Sequence, residues 1–322
     1  MHPAQIAPAC YAGHSMKILF VTSNRLGDAV LTTGLLDHLI RTYPRARITV
    51  ATGPIAAGVF THMPQLDRLI VFRKKSYDRH WIPLWWFAAR QVWDLVVDIR
   101  ASAISYLVPT KRRAVMRPRP GRKIEQLGAI LRLSPPPMPV AWTSAEDHAH
   151  AATLLPPGSP NITPIITLGP TASRQIKMWP ADKFAALFHA LASGPLPNAR
   201  AAILAGPGKT EEELSAPLRA ALPDAIDLRG HLTIPQVTAC LQRSALYIGN
   251  DSGLMHLAAA AGVPTLGLFG PTPWREYSPA GPRTIVAVSP TGPMEDLSVD
   301  LALQAAITLL GATQVASLSP PP

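Results

Sequence analysis

Residues 247–272, YIGNDSGLMHLAAAAGVPTLGLFGPT, show how the chain is built. The apolar segment 245–248 leads into the polar tetrapeptide NDSG, 250–253, which is followed by an alanine-rich segment and a second apolar segment, 263–269. A strand, a turn, a helix and another strand in this order, with both strands apolar throughout, are typical of a parallel sheet covered on both faces. Ligands of such sheets bind at the carboxyl ends of the strands, so we predict that the tetrapeptide lies at a binding site.

The same alternation of apolar strands and helices runs through the chain in two series, separated by the proline-rich segment 133–144. Predicted strands are 17–22, 47–52, 68–72 and 93–99 in the first series, and segments beginning at 164, 201, 225, 245 and 263 in the second. This pattern predicts an α/β protein of two doubly wound, Rossmann-like domains facing a central cleft. The predicted limits are a flexible extension, 1–15, an N-terminal domain, 16–155, a C-terminal domain, 156–297, and a C-terminal helix and tail, 298–322.

The composition excludes several classes of protein. Of the 322 residues 48% are apolar and 16% charged, as expected for a globular chain and not for a disordered one. No uninterrupted apolar run reaches membrane-spanning length, and residues 1–15 lack the pattern of a secretory signal. The two cysteines, Cys10 and Cys240, exclude a disulfide framework and a cysteine metal site, which suits a reducing cytoplasm. A dinucleotide fingerprint is missing, because only Gly27 lies in the first strand-to-helix turn.

The formal net charge of +10 is concentrated in one segment, 73–132, which has 14 Lys/Arg and 4 Asp/Glu. The same segment contains four of the tryptophans: Trp81, Trp85, Trp86 and Trp93. Cations among tryptophans suit a surface that meets phosphorylated amphiphiles, such as a membrane surface. A solvated basic face beside aromatic core residues explains the composition equally well. No nucleic-acid-binding motif accompanies the charge, so we expect no nucleic-acid partner.

Three polar clusters are candidates for chemistry. Asp251-Ser252-Gly253 opens a helix, where free N–H groups and the helix dipole favour an anion, and His256 follows one turn along. Ordinary helix capping with a packed histidine is the alternative. Asp28 opens the first helix, either as a stabiliser of the helix dipole or as a general base. Arg174 and Lys177 lie on the loop after the first strand of the second series, and they are either cations for a diphosphate or ordinary surface residues.

Together these clusters resemble glycosyltransferase family 9, the family of the ADP-heptose:lipopolysaccharide heptosyltransferases. The resemblance lies in Gly27-Asp28, Lys177-x-Trp179-Pro180 and Asp251-Ser252-Gly253-x-x-His256, in the family's order, and it covers residues 16 to about 310. It implies a GT-B fold and an inverting transfer that needs no metal and no cofactor, with the nucleotide sugar as substrate.

The resemblance also implies roles by position. Asp28 corresponds to the general base on the acceptor hydroxyl, and Lys177 to the cation on the donor's phosphates. The residues that correspond to the donor site are Thr171, Arg174, Glu212, Leu232, Asp251, Ser252, Gly253 and His256. Asn24 and Arg25 are expected at the acceptor; they replace the small hydroxyl residues of the heptosyltransferase that acts first on the core.

The sequence therefore predicts a cytoplasmic enzyme that moves a heptose or related sugar from a nucleotide diphosphate, ADP-heptose by resemblance, to a lipopolysaccharide core or similar glycan. For segment 73–132 two interpretations stay open: a contact with the inner face of the inner membrane, and a solvated basic face. Two alternatives remain at this stage. A nucleotide-sugar epimerase can share the two-domain architecture, and a non-catalytic sugar-nucleotide-binding scaffold would use the same donor site.

Overall fold

The computed structural model describes residues 15–73, 81–156 and 163–318, with side chains as far as residue 311. Its first sheet has five strands: β1, Lys17–Val21; β2, Arg47–Thr52; β3, Leu66–Val71; β4, Leu95–Asp98; and β5, Arg113–Val115. Their order across the sheet is β3-β2-β1-β4-β5. All neighbouring strands run parallel, as the sequence predicts.

The second sheet is also parallel and has six strands: β6, Ile165–Gly169; β7, Arg200–Ile203; β8, Ile226–Asp227; β9, Leu246–Asn250; β10, Thr265–Phe269; and β11, Thr284–Val288. Their order is β11-β10-β9-β6-β7-β8. Every residue of β6, β9 and β10 is buried, because helices cover both faces of the sheet.

Eleven α-helices lie in the described part of the chain: α1, Leu26–Thr42; α2, Trp81–Ala88; α3, Ile104–Leu107; α4, Lys123–Gly128; α5, Ala145–Leu154; α6, Ala181–Ala192; α7, Lys209–Ala221; α8, Ile234–Leu241; α9, Gly253–Ala260; α10, Trp274–Tyr277; and α11, Val299–Leu318. The last helix takes up most of the segment 298–322 predicted as a C-terminal helix and tail, because its apolar and alanine-rich sequence continues without a proline until residue 320.

Two helices away from the cleft begin with side-chain caps. The backbone N–H of Asp147 donates to Ser144 Oγ at the start of α5, and that of Gln236 donates to Thr233 Oγ1 at the start of α8. In contrast, α1 and α9 have no side-chain cap, although Ser252 stands at the capping position of α9. Ser252 therefore makes no side-chain cap, although the histidine of the capping alternative is packed, and the first N–H groups of α9 are left for another partner.

The two sheets face each other through α1 and α9, which follow β1 and β9. A Cβ atom on Gly27 would lie 2.9 Å from His256 Cδ2, and one on Gly253 would lie 2.7 Å from Leu26 Cβ. Both glycines are therefore required by a close approach of the two helix starts. Because each helix start follows the carboxyl end of its strand, the carboxyl ends of β1 and β9 lie on opposite sides of one cleft.

Helix α5 connects the two halves. His62 Nε2 lies 3.0 Å from Asp147 Oδ2, and α5 packs against α8 of the second half. Arg243 Nε donates to the carbonyl of Leu155 just after α5, at 2.7 Å. The predicted domain boundary at 155/156 thus falls directly after a helix that contacts both halves.

Candidate active site

Asp28 lies in the first turn of α1 and faces the second half of the chain. Its carboxylate accepts a hydrogen bond from Ser23 Oγ at 3.2 Å, which orients it from the β1–α1 turn. The charge of Asp28 acts on two groups across the cleft: burial lowers the pKa of His256 and Asp28 opposes that change, whereas burial raises the pKa of Tyr277 and Asp28 adds to it. The structure therefore brings the predicted base to the turn at 251–256.

Lys177 and Asp251 form an ion pair on the opposite wall. Lys177 Nζ lies 2.7 Å from Asp251 Oδ2, and the two side chains are 22% and 11% exposed. Lys177 comes from a 3₁₀ turn, 175–177, and Asp251 from the β9–α9 turn. Asp251 therefore holds the ammonium group at the start of α9, where a phosphate would also meet the helix dipole.

His256 is buried between these groups and is 5% exposed. Burial lowers the pKa of its imidazole below the ordinary value of 6.5; Lys177 acts in the same direction, and the carboxylates of Asp251 and Asp28 oppose it. Its Nδ1 has no hydrogen-bond partner among the described residues. A neutral imidazole with one free nitrogen is therefore available to a ligand hydroxyl or phosphate.

Asn250 fixes the loop that carries the predicted cation, a role that the sequence did not reveal. The N–H of Trp179 donates to Asn250 Oδ1 at 3.0 Å, and Asn250 Nδ2 donates to the carbonyl of Pro170 at 2.7 Å. Asn250 is fully buried, so both bonds are shielded from water. The loop containing Thr171 and Lys177 is thereby tied to the end of β9. The only sequence signal was the place of Asn250 in the NDSG tetrapeptide.

Tyr277 is a second residue that the sequence did not indicate. It ends the short helix α10, and its pKa is raised by burial and by the carboxylates of Glu276, Asp28 and Asp251. Its neutral phenol is therefore close to the acids of both walls. Gln126 Nε2 of α4 donates to Glu276 Oε1 at 3.2 Å, which joins the two halves at the same side of the cleft.

Glu212 and Leu232, both predicted at the donor site, come from the neighbouring segments after β7 and β8, and they differ in exposure. Glu211 accepts from the N–H of Gly206 at 3.2 Å, whereas Glu212 is exposed; Asp227, with a smaller contribution from Glu212, raises the pKa of Arg229. Leu232 is half-buried against the core. The loop after β8 reaches the loop after β7, since the N–H of Gly230 donates to Ala205. The roles of Glu212 and Leu232 remain predictions.

The remaining predicted residues divide between buried and exposed. Thr171 is buried at the end of β6, whereas Arg174 is exposed on the same loop. Asn24 accepts a bond from Arg100 Nη1 at 3.1 Å, at the carboxyl edge of the first sheet. The Arg25 side chain is exposed beside it. The residues predicted for the acceptor therefore lie on the wall that carries Asp28, next to Arg100.

A cavity of about 340 Å³ opens beyond β5 in the first half. It is lined by Tyr106, Arg113, Ala114, Val115, Arg117, Arg119, Gln126, Ala129, Ile130 and Arg132. Four arginines and no acid line it, so it is suited to an anion. Gln126 also bonds to Glu276, which places this cavity (the arginine cavity) next to the cleft.

Three further properties concern the described residues. They contain no group of three or more His, Cys, Asp or Glu side chains placed to hold a metal ion. None of their helices combines the length and hydrophobicity that a membrane-spanning segment needs. Burial raises the pKa of the Cys240 thiol to about 11, so it is not a nucleophile at neutral pH.

The buried histidine predicts how stability depends on pH. Because the folded pKa of His256 is below 6.5, the unfolded chain binds more protons in the window below that value. The contribution of His256 to the free energy of unfolding should therefore be complete above about pH 6.5 and decrease as the pH is lowered towards the folded pKa. Urea unfolding between about pH 7.5 and about pH 5.5 measures this slope, and His256→Gln should reduce it.

His38 is the comparison for this experiment. Burial also lowers the pKa of His38, so it contributes a slope of the same sign from the middle of α1. We expect His38→Gln and His256→Gln each to remove a part of the slope. A His256→Gln protein with the full wild-type slope would show that His256 titrates normally in the fold.

Comparisons with known proteins agree with this geometry. The sequence model of glycosyltransferase family 9 (heptosyltransferase) matches residues 121–306, more than half of the chain. Lipopolysaccharide heptosyltransferase 3 of Escherichia coli is 31% identical over 120 residues, 35% of this chain and 34% of that protein. The chain therefore spans about a third of the length of this curated relative.

Solved structures show the same fold over nearly the whole chain. A glycosyl transferase family 9 protein from Veillonella parvula superposes with a TM-score of 0.77 at 21% identity, covering 92% of this chain and 98% of that one. The E. coli ADP-heptose LPS heptosyltransferase II gives 0.74 at 20% identity, covering 93% and 100%. The predicted GT-B fold is confirmed. With Lys177 and the turn at 251–256 inside the matched residues, the chain belongs to glycosyltransferase family 9, the heptosyltransferase family.

Proposed function

We propose that this protein transfers a heptose from ADP-heptose to a hydroxyl of a lipopolysaccharide core acceptor, with inversion at the anomeric carbon. One observation supports the proposal above the others. Asp28, on one wall of the cleft, follows Gly27, where a Cβ atom would lie 2.9 Å from Cδ2 of His256 on the other wall, beside the Lys177–Asp251 pair. A base for the acceptor and an anion site for the donor thus face each other.

The proposed reaction is a single displacement. Asp28 accepts the proton of the acceptor hydroxyl, whose oxygen forms the new bond to the anomeric carbon of the sugar. The bond from that carbon to the diphosphate oxygen breaks, and ADP leaves with the bonding electrons. Lys177 and the uncapped N–H groups of α9 stabilise the negative charge that develops on the leaving diphosphate. This scheme assigns no step to a metal ion.

The arginine cavity supports the proposal that the acceptor is an anion. Arg113, Arg117, Arg119 and Arg132 are planar, permanently charged groups that bind carboxylates and phosphates through paired N–H donors. The cavity adjoins the cleft through Gln126, which donates to Glu276 next to Tyr277. An acidic or phosphorylated core saccharide held there would place its hydroxyl groups towards the base.

An exposed apolar surface next to this cavity supports the proposal that the acceptor is anchored in a membrane. Its members, here called the aromatic face, are 38–64% exposed: Ile82, Trp85, Trp86, Tyr106 and Leu107. Trp85 Nε1 donates to the carbonyl of Leu107 at 3.1 Å, which joins α2 to α3 in one surface. Tyr106 belongs both to this face and to the arginine cavity.

Two arginines lie against rings of the aromatic face. The guanidinium of Arg90 lies 4.1 Å from the ring centroid of Trp86, and that of Arg113 lies 5.3 Å from Tyr106. Proteins that bind at a membrane interface place indole rings at the depth of the lipid headgroups and arginines on the lipid phosphates. We therefore propose that this face rests on an anionic bilayer and presents the arginine cavity to the glycolipid headgroup.

Substitution of the aromatic face should weaken membrane binding. Burial of one large apolar side chain contributes about 1.5–3 kcal/mol, so Trp86→Ser should lower partitioning onto phosphatidylglycerol-containing vesicles at least about tenfold. Sedimentation of the vesicles with bound protein measures this partitioning. Leu301→Ser, a change at an equally exposed leucine of α11, is the control and should bind as the wild type does. Equal partitioning of the Trp86→Ser and wild-type proteins would contradict the assignment.

A transfer assay tests the proposed function. The wild-type protein, given ADP-heptose and a truncated lipopolysaccharide acceptor, should release ADP only when the acceptor is present. Release of ADP without an acceptor, together with an epimerised sugar product, would indicate an epimerase. Binding of ADP-heptose with neither product would indicate a scaffold. A panel of nucleoside diphosphates in a thermal-shift experiment should give the largest shift with ADP.

A further inference from the structure

Tyr247 is a buried tyrosine whose hydroxyl lies under the start of α9. The residue is on β9 and is fully buried. A Cβ atom on Gly169 or Gly249, which pair in register on β6 and β9, would collide with its hydroxyl oxygen. The ring therefore occupies space that two glycines leave open at the carboxyl end of the sheet.

This hydroxyl has no hydrogen-bond partner in the described part of the chain. Four buried side-chain polar atoms there lack one, and three of them come from β9, the β9–α9 turn and α9: Tyr247 Oη, Ser252 Oγ and His256 Nδ1. Buried polar groups without partners destabilise a fold, so three at one place call for an explanation. If the tyrosine only filled space, phenylalanine would fill it without the unpaired hydroxyl.

Ser252 is the neighbour through which Tyr247 can act. Burial raises the pKa of the Tyr247 phenol and the nearby Ser252 hydroxyl lowers it, although the two hydroxyls do not reach hydrogen-bond geometry. Ser252 stands at the capping position of α9 but forms no cap bond. The phenol thus remains protonated and can donate, and the serine hydroxyl is free to turn.

We propose that Tyr247 is a positioning residue for the donor's diphosphate, acting through Ser252. In the bound state the Tyr247 hydroxyl donates to Ser252 Oγ, and the Ser252 hydroxyl donates to a phosphate oxygen at the start of α9. The serine has a single proton, so a donor behind it directs that proton to the phosphate and strengthens the bond. The inference rests on the proposed function, which places the diphosphate at this turn.

The test is nucleotide affinity in a double-mutant cycle, measured by calorimetry with ADP and with inorganic pyrophosphate on the full chain. Tyr247→Phe should bind both probes roughly three- to tenfold more weakly than the wild type, since one bond of the relay is lost. The ligand-free Tyr247→Phe protein should nevertheless unfold at an equal or higher urea concentration, because an unpaired hydroxyl is removed. In a Ser252→Ala background, Tyr247→Phe should have no further effect on affinity.

The outcomes separate the inference from the proposed function. Tyr43→Phe, at the far end of α1, is the control and should keep wild-type affinity. Unchanged affinity in Tyr247→Phe, or an equal loss with and without Ser252, would overturn the relay and leave heptose transfer standing. Wild-type protein that binds the probes and shows the cycle but transfers no heptose would overturn the proposed function alone. Wild-type protein that binds neither probe would overturn both.

Discussion

Asp28→Asn is expected to lower kcat at least about a hundredfold while the affinity for ADP stays within about twofold of the wild type. A positioned general base contributes roughly 10²–10⁴ in rate, and the amide cannot accept the acceptor's proton. The asparagine oxygen can still accept the bond from Ser23 Oγ, so the local geometry is retained. Steady-state transfer assays at saturating donor, with calorimetry for ADP, separate turnover from binding.

Asp37→Asn is the matched control for this variant. Asp37 lies on the same helix and pairs with Arg41 at 2.8 Å on the surface, away from the cleft. Loss of such a pair changes helix stability by about 0.2–0.5 kcal/mol and should leave kcat unchanged. An Asp28→Asn enzyme that retained more than about a tenth of wild-type kcat would refute the assignment of the base.

Lys177→Met should produce the second large effect. Removal of one charge that stabilises the transition state typically costs about 3 kcal/mol, which is roughly a hundredfold in kcat/KM. Methionine keeps the length and apolar contacts of the lysine stem. The same change leaves Asp251 without its cation in a site where it is 11% exposed, so the protein should also become less stable. Kinetics and urea unfolding measure the two effects separately.

A double variant, Lys177→Met with Asp251→Asn, distinguishes catalysis from structure. Neutralising Asp251 removes the unpaired charge, so much of the lost stability should return. The catalytic loss should remain, because the leaving diphosphate still lacks its cation. Recovery of turnover together with stability would show that Lys177 only balances Asp251 and does not act on the donor.

The strands of both sheets could be predicted where they are buried on both faces. β6, β9 and β10 are apolar runs without alternation, the pattern that a covered parallel strand imposes on a sequence. Two edge strands were missed for the opposite reason. β5 has three residues and begins with an arginine, and β11 is only partly buried, so neither has a continuous apolar run.

The site was predictable where it is local. Asp28, Lys177 and the turn at 251–256 stand in short motifs beside strands, and a strand-to-helix turn places its residues by backbone geometry alone. The Lys177–Asp251 pair, by contrast, joins residues 74 positions apart in the sequence. Tyr247 and Tyr277 gave no signal, and Asn250 gave only its place in the NDSG tetrapeptide, because the role of each depends on what packs against it across the sheet or the cleft.

The sequence by itself determined the fold class, the family and the two helix starts at which chemistry was expected, because apolar periodicity and turn motifs act over a few residues. Only the tertiary structure decided that Gly27 and Gly253 meet and that Asp28 lies within electrostatic reach of His256. It also decided that Ser252, next to the Tyr247 hydroxyl, makes no cap bond to α9. These relations depend on how two sheets dock. Docking is set by the packing of residues far apart in the chain, which no local pattern encodes.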